Sequence, residues 1–221
     1  MKLKYYTFTL TGVTPLILHQ DSIEWSDKMQ EWRKDSSNAK KSVAGDDRTP
    51  AWRWIGCLPT DGEKVGITAD MLLSMLTKAG SKLPTGKKQT TFKNAAATMF
   101  NIVDPLMPVV CGGGSITAKE LQTAMEEENF AQHQKWATSK GFELFVKRAA
   151  VQNSKHIRVR PMFRQWSISG QVEVFDDTVT AEVLANLFGI AGQSIGLGDW
   201  RPSSKTPGRY GRFTSKVEAV K

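Results

Sequence analysis

The chain has 221 residues, 40% of them hydrophobic and 24% charged, the balance of a globular protein that buries a core without disulfide or metal staples. Lys and Arg number 30 against 22 Asp and Glu, a formal charge of +8, which points to polyanionic partners, nucleic acid first, and says nothing about fold. No stretch reaches the roughly 18 apolar residues of a membrane span, no basic amphipathic helix suits a membrane surface, and the opening residues alternate where a leader would be uniformly apolar, so a cytoplasmic protein is expected.

Residues 2–12 mix β-branched and aromatic side chains with Lys2 and Lys4 at alternate positions, which reads as a strand ending or bending at Pro15. Residues 20–65 set Trp25, Trp32, Trp52 and Trp54 among charges, serines and glycines. This part reads as a surface excursion: a short helix over 24–34, a polar loop, then an extended 51–57. The spacing predicts a helix over 67–80, with Thr68 as cap, Asp70 at the positive dipole end and Gly80 as terminator. Met71, Leu72, Met75, Leu76 and Ala79 form its apolar face. The same grammar returns at 179–192, where Thr180 caps, Glu182 follows, Val183, Leu184, Leu187, Phe188 and Ala191 face inward, and Gly192 closes. Internal duplication and the common form of well-capped amphipathic helices both account for the match.

Between these helices the sequence predicts a basic loop at 84–93, a short helix at 94–100, a Pro/Gly-rich connection at 104–114 and a solvated helix within 117–139. Strands are expected at 142–151, 155–163 and 165–175, and a last one at 208–220. Strand, helix, two or three strands, helix, strand is the α+β split βαβ plan. It is a ferredoxin-like (RRM-like) antiparallel sheet, read as a single domain over 1–221 with long insertions at about 20–65 and 82–140.

From Lys147 to Gly170 there are six basic residues (Lys147, Arg148, Lys155, Arg158, Arg160, Arg164) and no acidic one. Strand alternation puts His156, Arg158 and Arg160 on one face, near Arg164 and Trp166. Cations beside an aromatic surface suit a sugar-phosphate backbone with unstacked bases. A charged edge strand that resists aggregation would show the same pattern. Towards the C-terminus, Gly192, Gly196 and Gly198 permit tight turning and close approach to a ligand. Arg201, Arg209 and Arg212 supply planar donors for phosphate, and Trp200 and Tyr210 supply stacking faces. A glycine-ended helix and a turn with core aromatics is the plainer alternative.

Lys87, Lys88 and Lys93 are further phosphate-contact candidates, although the segment from Gly80 to Lys88 lacks the spacing and the Ser/Thr of a phosphate-binding loop. Gly196-x-Gly198 lacks the third glycine of a dinucleotide fingerprint. Cys57, Cys111, His19, His133 and His156 share no ligand spacing, so reduced cysteines, no metal site and no cofactor are expected.

The order ending in helix, Gly196-Leu-Gly-Asp-Trp-Arg-Pro, and Gly208-Arg-Tyr-Gly-Arg-Phe resembles the RAMP superfamily, the repeat-associated proteins of CRISPR effector complexes. It is most similar to the Cas7-like branch, and related-looking sequences occur in phages. The resemblance covers about the first 18 residues, 66–81 and 143–221. It implies single-stranded RNA on the central sheet, a Gly-rich loop shaping the RNA path, and subunits lined up as a filament or homo-oligomer, in a prokaryotic cell or phage-infected host. It leans away from catalysis. Cas6-like members use a histidine near the start of the fold and some Cas7-like members a loop aspartate, for which His19 and Asp21 are the nearest matches. A phage protein binding single-stranded DNA is the remaining alternative.

Overall fold

The computed structural model describes residues 3–39, 41, 43–86, 91–151 and 154–220. The chain gathers into two compact units. The first comprises Met1–Leu16, Gly66–Val110 and Arg164–Lys221, the second Ile17–Val65 and Cys111–Phe163. Where the sequence reading draws the second insertion at about 82–140, the contacts draw it at 111–163.

In the first unit the Lys4–Gly12 strand lies between two antiparallel neighbours. Ser167–Val174 pairs along one edge, with Phe8 opposite Gly170. Phe213–Ala219 pairs along the other, with Phe8 opposite Val217. Phe100–Ile102 joins the far edge of Ser167–Val174, placing Ile102 opposite Val172. Along the chain these strands and the two long helices run β-α-β-β-α-β. Across the sheet the order is fourth, first, third, second. The unit is α+β with an antiparallel sheet, as expected. The second strand is only three residues long. The helix expected over 94–100 is confined to Ala95–Thr98.

Both strong helices start where the spacing predicts; the second does not close at Gly192 but runs on as a π-helix over Ala191–Ile195 and ends at Gly196. The Thr68 hydroxyl accepts from the Met71 N–H at 3.3 Å, and that of Thr180 from the Val183 N–H at 3.3 Å, each satisfying one orphan donor of a first turn. Helix Ala69–Gly80 buries Leu72, Met75, Leu76 and Ala79, and helix Ala181–Ile190 buries Leu184, Leu187 and Phe188. On the first strand the two-residue period sends Tyr6, Phe8 and Leu10 inward and leaves Tyr5, Thr7 and Thr9 exposed. Phe8 is 1% exposed and its ring stacks on Phe188, 4.9 Å between centroids. Truncating Phe8 to Ala removes that contact and should cost about 3–5 kcal/mol, read as a fall in the urea midpoint at unchanged slope.

The second unit is built on the hairpin of Glu143–Val151 with Ser154–Phe163, where Lys147 faces Arg158 and Val146 faces Val159. Leu18 N–H extends this ladder to the Pro161 carbonyl at 3.1 Å. The expected placement of these strands on the central sheet is thus corrected: they pair with each other. Residues 51–57, read as extended, form a 3-10 helix instead. Its Trp54 is 1% exposed, and its ring lies 5.6–5.9 Å from Phe142, His133 and Trp136. This tryptophan is core and not an exposed contact surface.

The Trp54 indole N–H donates to His133 Nδ1 at 3.1 Å. Nε2 must then carry the proton and donate to the Glu127 carbonyl at 2.8 Å. Burial pushes the His133 imidazole below its ordinary value of 6.5, against the opposing pull of the Glu127 carbonyl. A second proton, on Nδ1, would face the Trp54 N–H. Below pH 6.5 the unfolded chain therefore takes up a proton that the folded unit refuses, so stability is full above that range and falls as the pH drops. Unfolding in urea at about pH 7.5 and about pH 5 should show this loss, and His133→Gln should shrink it. An equal loss in both proteins would remove His133 from the account.

Candidate functional site

The strongest site in the second unit is organised by a buried carboxylate. Gly45 adopts a φ of 78°, which turns the chain back onto the hairpin. The Ile157 N–H donates to the Gly45 carbonyl at 2.8 Å and the Asp47 N–H to the Ile157 carbonyl at 2.9 Å. This docking points the Asp47 side chain, 4% exposed, at three guanidinium groups. Nη1 of Arg53, of Arg158 and of Arg160 each lies 3.1 Å from it. Alternation puts Arg158 and Arg160 on one strand face, as the sequence predicts, while Arg53 arrives from the Ala51–Cys57 helix. Beside it Asp46 is held below the usual carboxylate range by hydrogen bonds from Arg48.

Asp47 and its three arginines line a cleft of about 310 Å³ within the unit. Arg33, from the Ile23–Lys34 helix, joins Arg53, Arg158 and Arg160 on its wall, and Asp21 joins Asp47. Four guanidinium groups thus meet two carboxylates. His19 also lines the cleft. Trp25 and Trp52 form an aromatic wall, 5.7 Å between ring centroids. Gly56 makes this wall possible, because a Cβ there would come within 2.8 Å of the Trp25 side chain. The arrangement offers a phosphate planar N–H donors in a partly desolvated setting and offers a base an aromatic face.

The other expected residues are dispersed. In the second unit, Lys147 and Arg148 are exposed on the outer hairpin strand, and His156 is half-buried against Gly45. In the first unit, Arg164 and Lys93 are exposed, while Lys87 and Lys88 lie outside the described residues. Trp166 is 3% exposed. Its indole N–H donates to the Thr14 carbonyl at 2.9 Å and its ring covers Gly12. It is a core residue, not a stacking platform. Nor is the open face of the first unit's sheet basic, since Tyr5, Thr7 and Thr9 there neighbour Glu173, Gln171 and Ser169.

The glycine- and arginine-rich loop closes on itself. Gly196 and Gly198 have φ of 74° and 76°. The Leu197 N–H donates to the Gly211 carbonyl at 2.9 Å, and a Cβ on Gly211 would collide with the Leu197 carbonyl. The Arg201 guanidinium donates to the Gly198 carbonyl at 2.5 Å and that of Arg212 to the Gln193 carbonyl at 2.5 Å. Arg209 sits 5.9 Å over the Tyr210 ring, and Trp200 lies 6.4 Å from the same ring. The glycines here serve close backbone packing, and two of the arginines brace the loop.

Sequence reading did not find Asp47, Arg53 or Arg33. Asp47 follows another aspartate in a polar run, Asp46 is buried as well, and only the three guanidinium groups that Asp47 meets set it apart. Cys57 and Cys111 are buried thiols without a disulfide. Among the described residues no three His, Cys, Asp or Glu side chains gather as a metal ion would require, and no helix is long and apolar enough to cross a membrane. No protein-family model matches the chain, and no curated protein matches it.

Because Asp47 is 4% exposed, removing it leaves three guanidinium groups facing each other. Asp47→Ala should lower the stability by about 3 kcal/mol. Reversing both Arg158 and Arg160 to Glu should unfold the second unit, a sharper outcome than loss of ligand alone. Native-like melting of the double variant would show that the cluster contributes nothing to folding.

Proposed function

We propose that this protein binds single-stranded nucleic acid, RNA before DNA, as a Cas7-like relative of the RAMP superfamily. The observation that carries the reading is the second unit's cleft, where arginines outnumber carboxylates beside two tryptophans. Excess guanidinium draws the backbone and the indole faces take unstacked bases. The β-α-β-β-α-β order of the first unit and the Gly/Arg loop after its last helix support the family reading. Assembly along the strand, and work in the cytoplasm of a prokaryotic cell or phage-infected host, rest on that resemblance.

Anisotropy titration of a labelled single-stranded RNA tests the proposal. With about two phosphate charges neutralised, log K should fall with log salt at a slope near −1.4. Single-stranded DNA of the same sequence should compete more weakly. Equal competition would move the protein to DNA handling, and salt-insensitive or absent affinity for both would defeat the reading.

One observation favours a second reading as endoribonuclease: His19 and Asp21 share the cleft with the arginines. An imidazole beside phosphate-binding guanidiniums is the equipment of general acid–base cleavage. Cleavage of labelled RNA, with and without chelator, that disappears in His19→Ala would establish it. Intact RNA throughout would leave a binding protein.

A further inference from the structure

We propose that the cleft takes the phosphorylated end of a strand: a terminal nucleotide whose phosphomonoester sits among Arg33, Arg53 and Arg158, with its base on the Trp25–Trp52 wall. This inference rests on the nucleic-acid reading and specifies which part of the strand the cleft holds.

Charge comes first. The four guanidinium groups and two carboxylates leave two positive charges. A terminal phosphomonoester carries about −1.5 to −2 near neutral pH, whereas an internal phosphodiester carries a single charge. The terminal group matches the surplus. Donors are available too, because a guanidinium has five N–H groups and Asp47 engages Arg53 and Arg158 each through Nη1. Asp47 holds these two side chains in place, so little ordering is left for the ligand to impose.

Size and shape agree. At about 310 Å³ the cleft stands at the lower end of the roughly 300–1,000 Å³ of small-ligand sites. That is room for a nucleotide and not for several stacked in a row. Arg158, Arg53 and Asp47 keep 25%, 31% and 4% side-chain exposure. The donors are therefore reachable, while the neutralising carboxylate stays beneath them. Trp25 and Trp52 are half-buried and line the cleft, and Lys28 Nζ lies 4.5 Å from the Trp25 ring centroid, a further cation beside the base. An end, unlike the middle of a strand, enters such a cleft without the chain having to leave it again.

The test compares one single-stranded RNA sequence in three forms: 5′-phosphorylated, 3′-phosphorylated, and hydroxylated at both ends. A phosphorylated form should bind at least about tenfold more tightly than the hydroxyl form and quench tryptophan fluorescence. Which of the two does so identifies the end. Arg33 lies on the exposed side of its helix, so Arg33→Gln should leave the melting temperature unchanged and reduce the preference by about fivefold. Arg158→Gln should abolish it if the variant folds, and Arg33→Gln decides the matter if it does not. Equal affinity for all three forms would overturn the end-capture proposal while leaving strand binding intact. So would a preference that is undiminished in Arg33→Gln. Absence of binding to any form would overturn both.

Discussion

A carboxylate taken out of water must be compensated where it stands, and the second unit is arranged around doing this for Asp47. Burying the ion costs several kcal/mol unless its lone pairs are met with good geometry. Here Arg53 comes from a 3-10 helix and Arg158 and Arg160 from a strand, and all reach it at 3.1 Å. One side chain thereby ties the 43–57 region to the hairpin. It also settles which way the arginines point. Without it, their mutual repulsion would scatter them into solvent and the cleft would lose both its floor and its charge pattern.

The aromatic residues of this unit divide by the company they keep. Trp54 has a hydrogen-bond partner for its indole N–H in His133 and rings on several sides, so it is spent on the core. Trp25 packs on Trp52 and on Gly56, and both tryptophans keep part of their surface for the cleft. Four tryptophans within a short polar stretch look equivalent in sequence. Only the partners separate a structural ring from one available to a ligand.

The sequence reveals elements better than it reveals their assembly. Helices Ala69–Gly80 and Ala181–Ile190 were legible because capping and period are local signals carried by Thr68, Thr180 and the residues that follow. The strands at 143–151 and 154–163 were legible as strands too, yet their sheet was not. Pairing is a nonlocal choice, and a tight hairpin satisfies both partners without recourse to a third. Phe100–Ile102 took the place expected of them on the strength of three residues. For the site, the one-sided face of Arg158 and Arg160 was visible, but the reason for it was not. A buried aspartate and a solvated one are the same letter, so Arg158 and Arg160 looked like open cationic surface when they were half of an ion-pair cluster.

The position of the first strand has a consequence for how the chain is made. Lys4–Gly12 is synthesised well before its two neighbours, residues 167–174 and 213–219. During elongation the apolar row of Tyr6, Phe8 and Leu10 emerges with no sheet to join, and it waits until those distant segments are made. Sequence separations of this size slow folding and lengthen the time that sticky segments stay exposed. The second unit, whose two pieces are complete by residue 163, has all its own residues before either neighbour of the first strand exists. The ribosome thus delivers the residues of the arginine cleft before the partners of the first strand, and that strand stays exposed the longer for it.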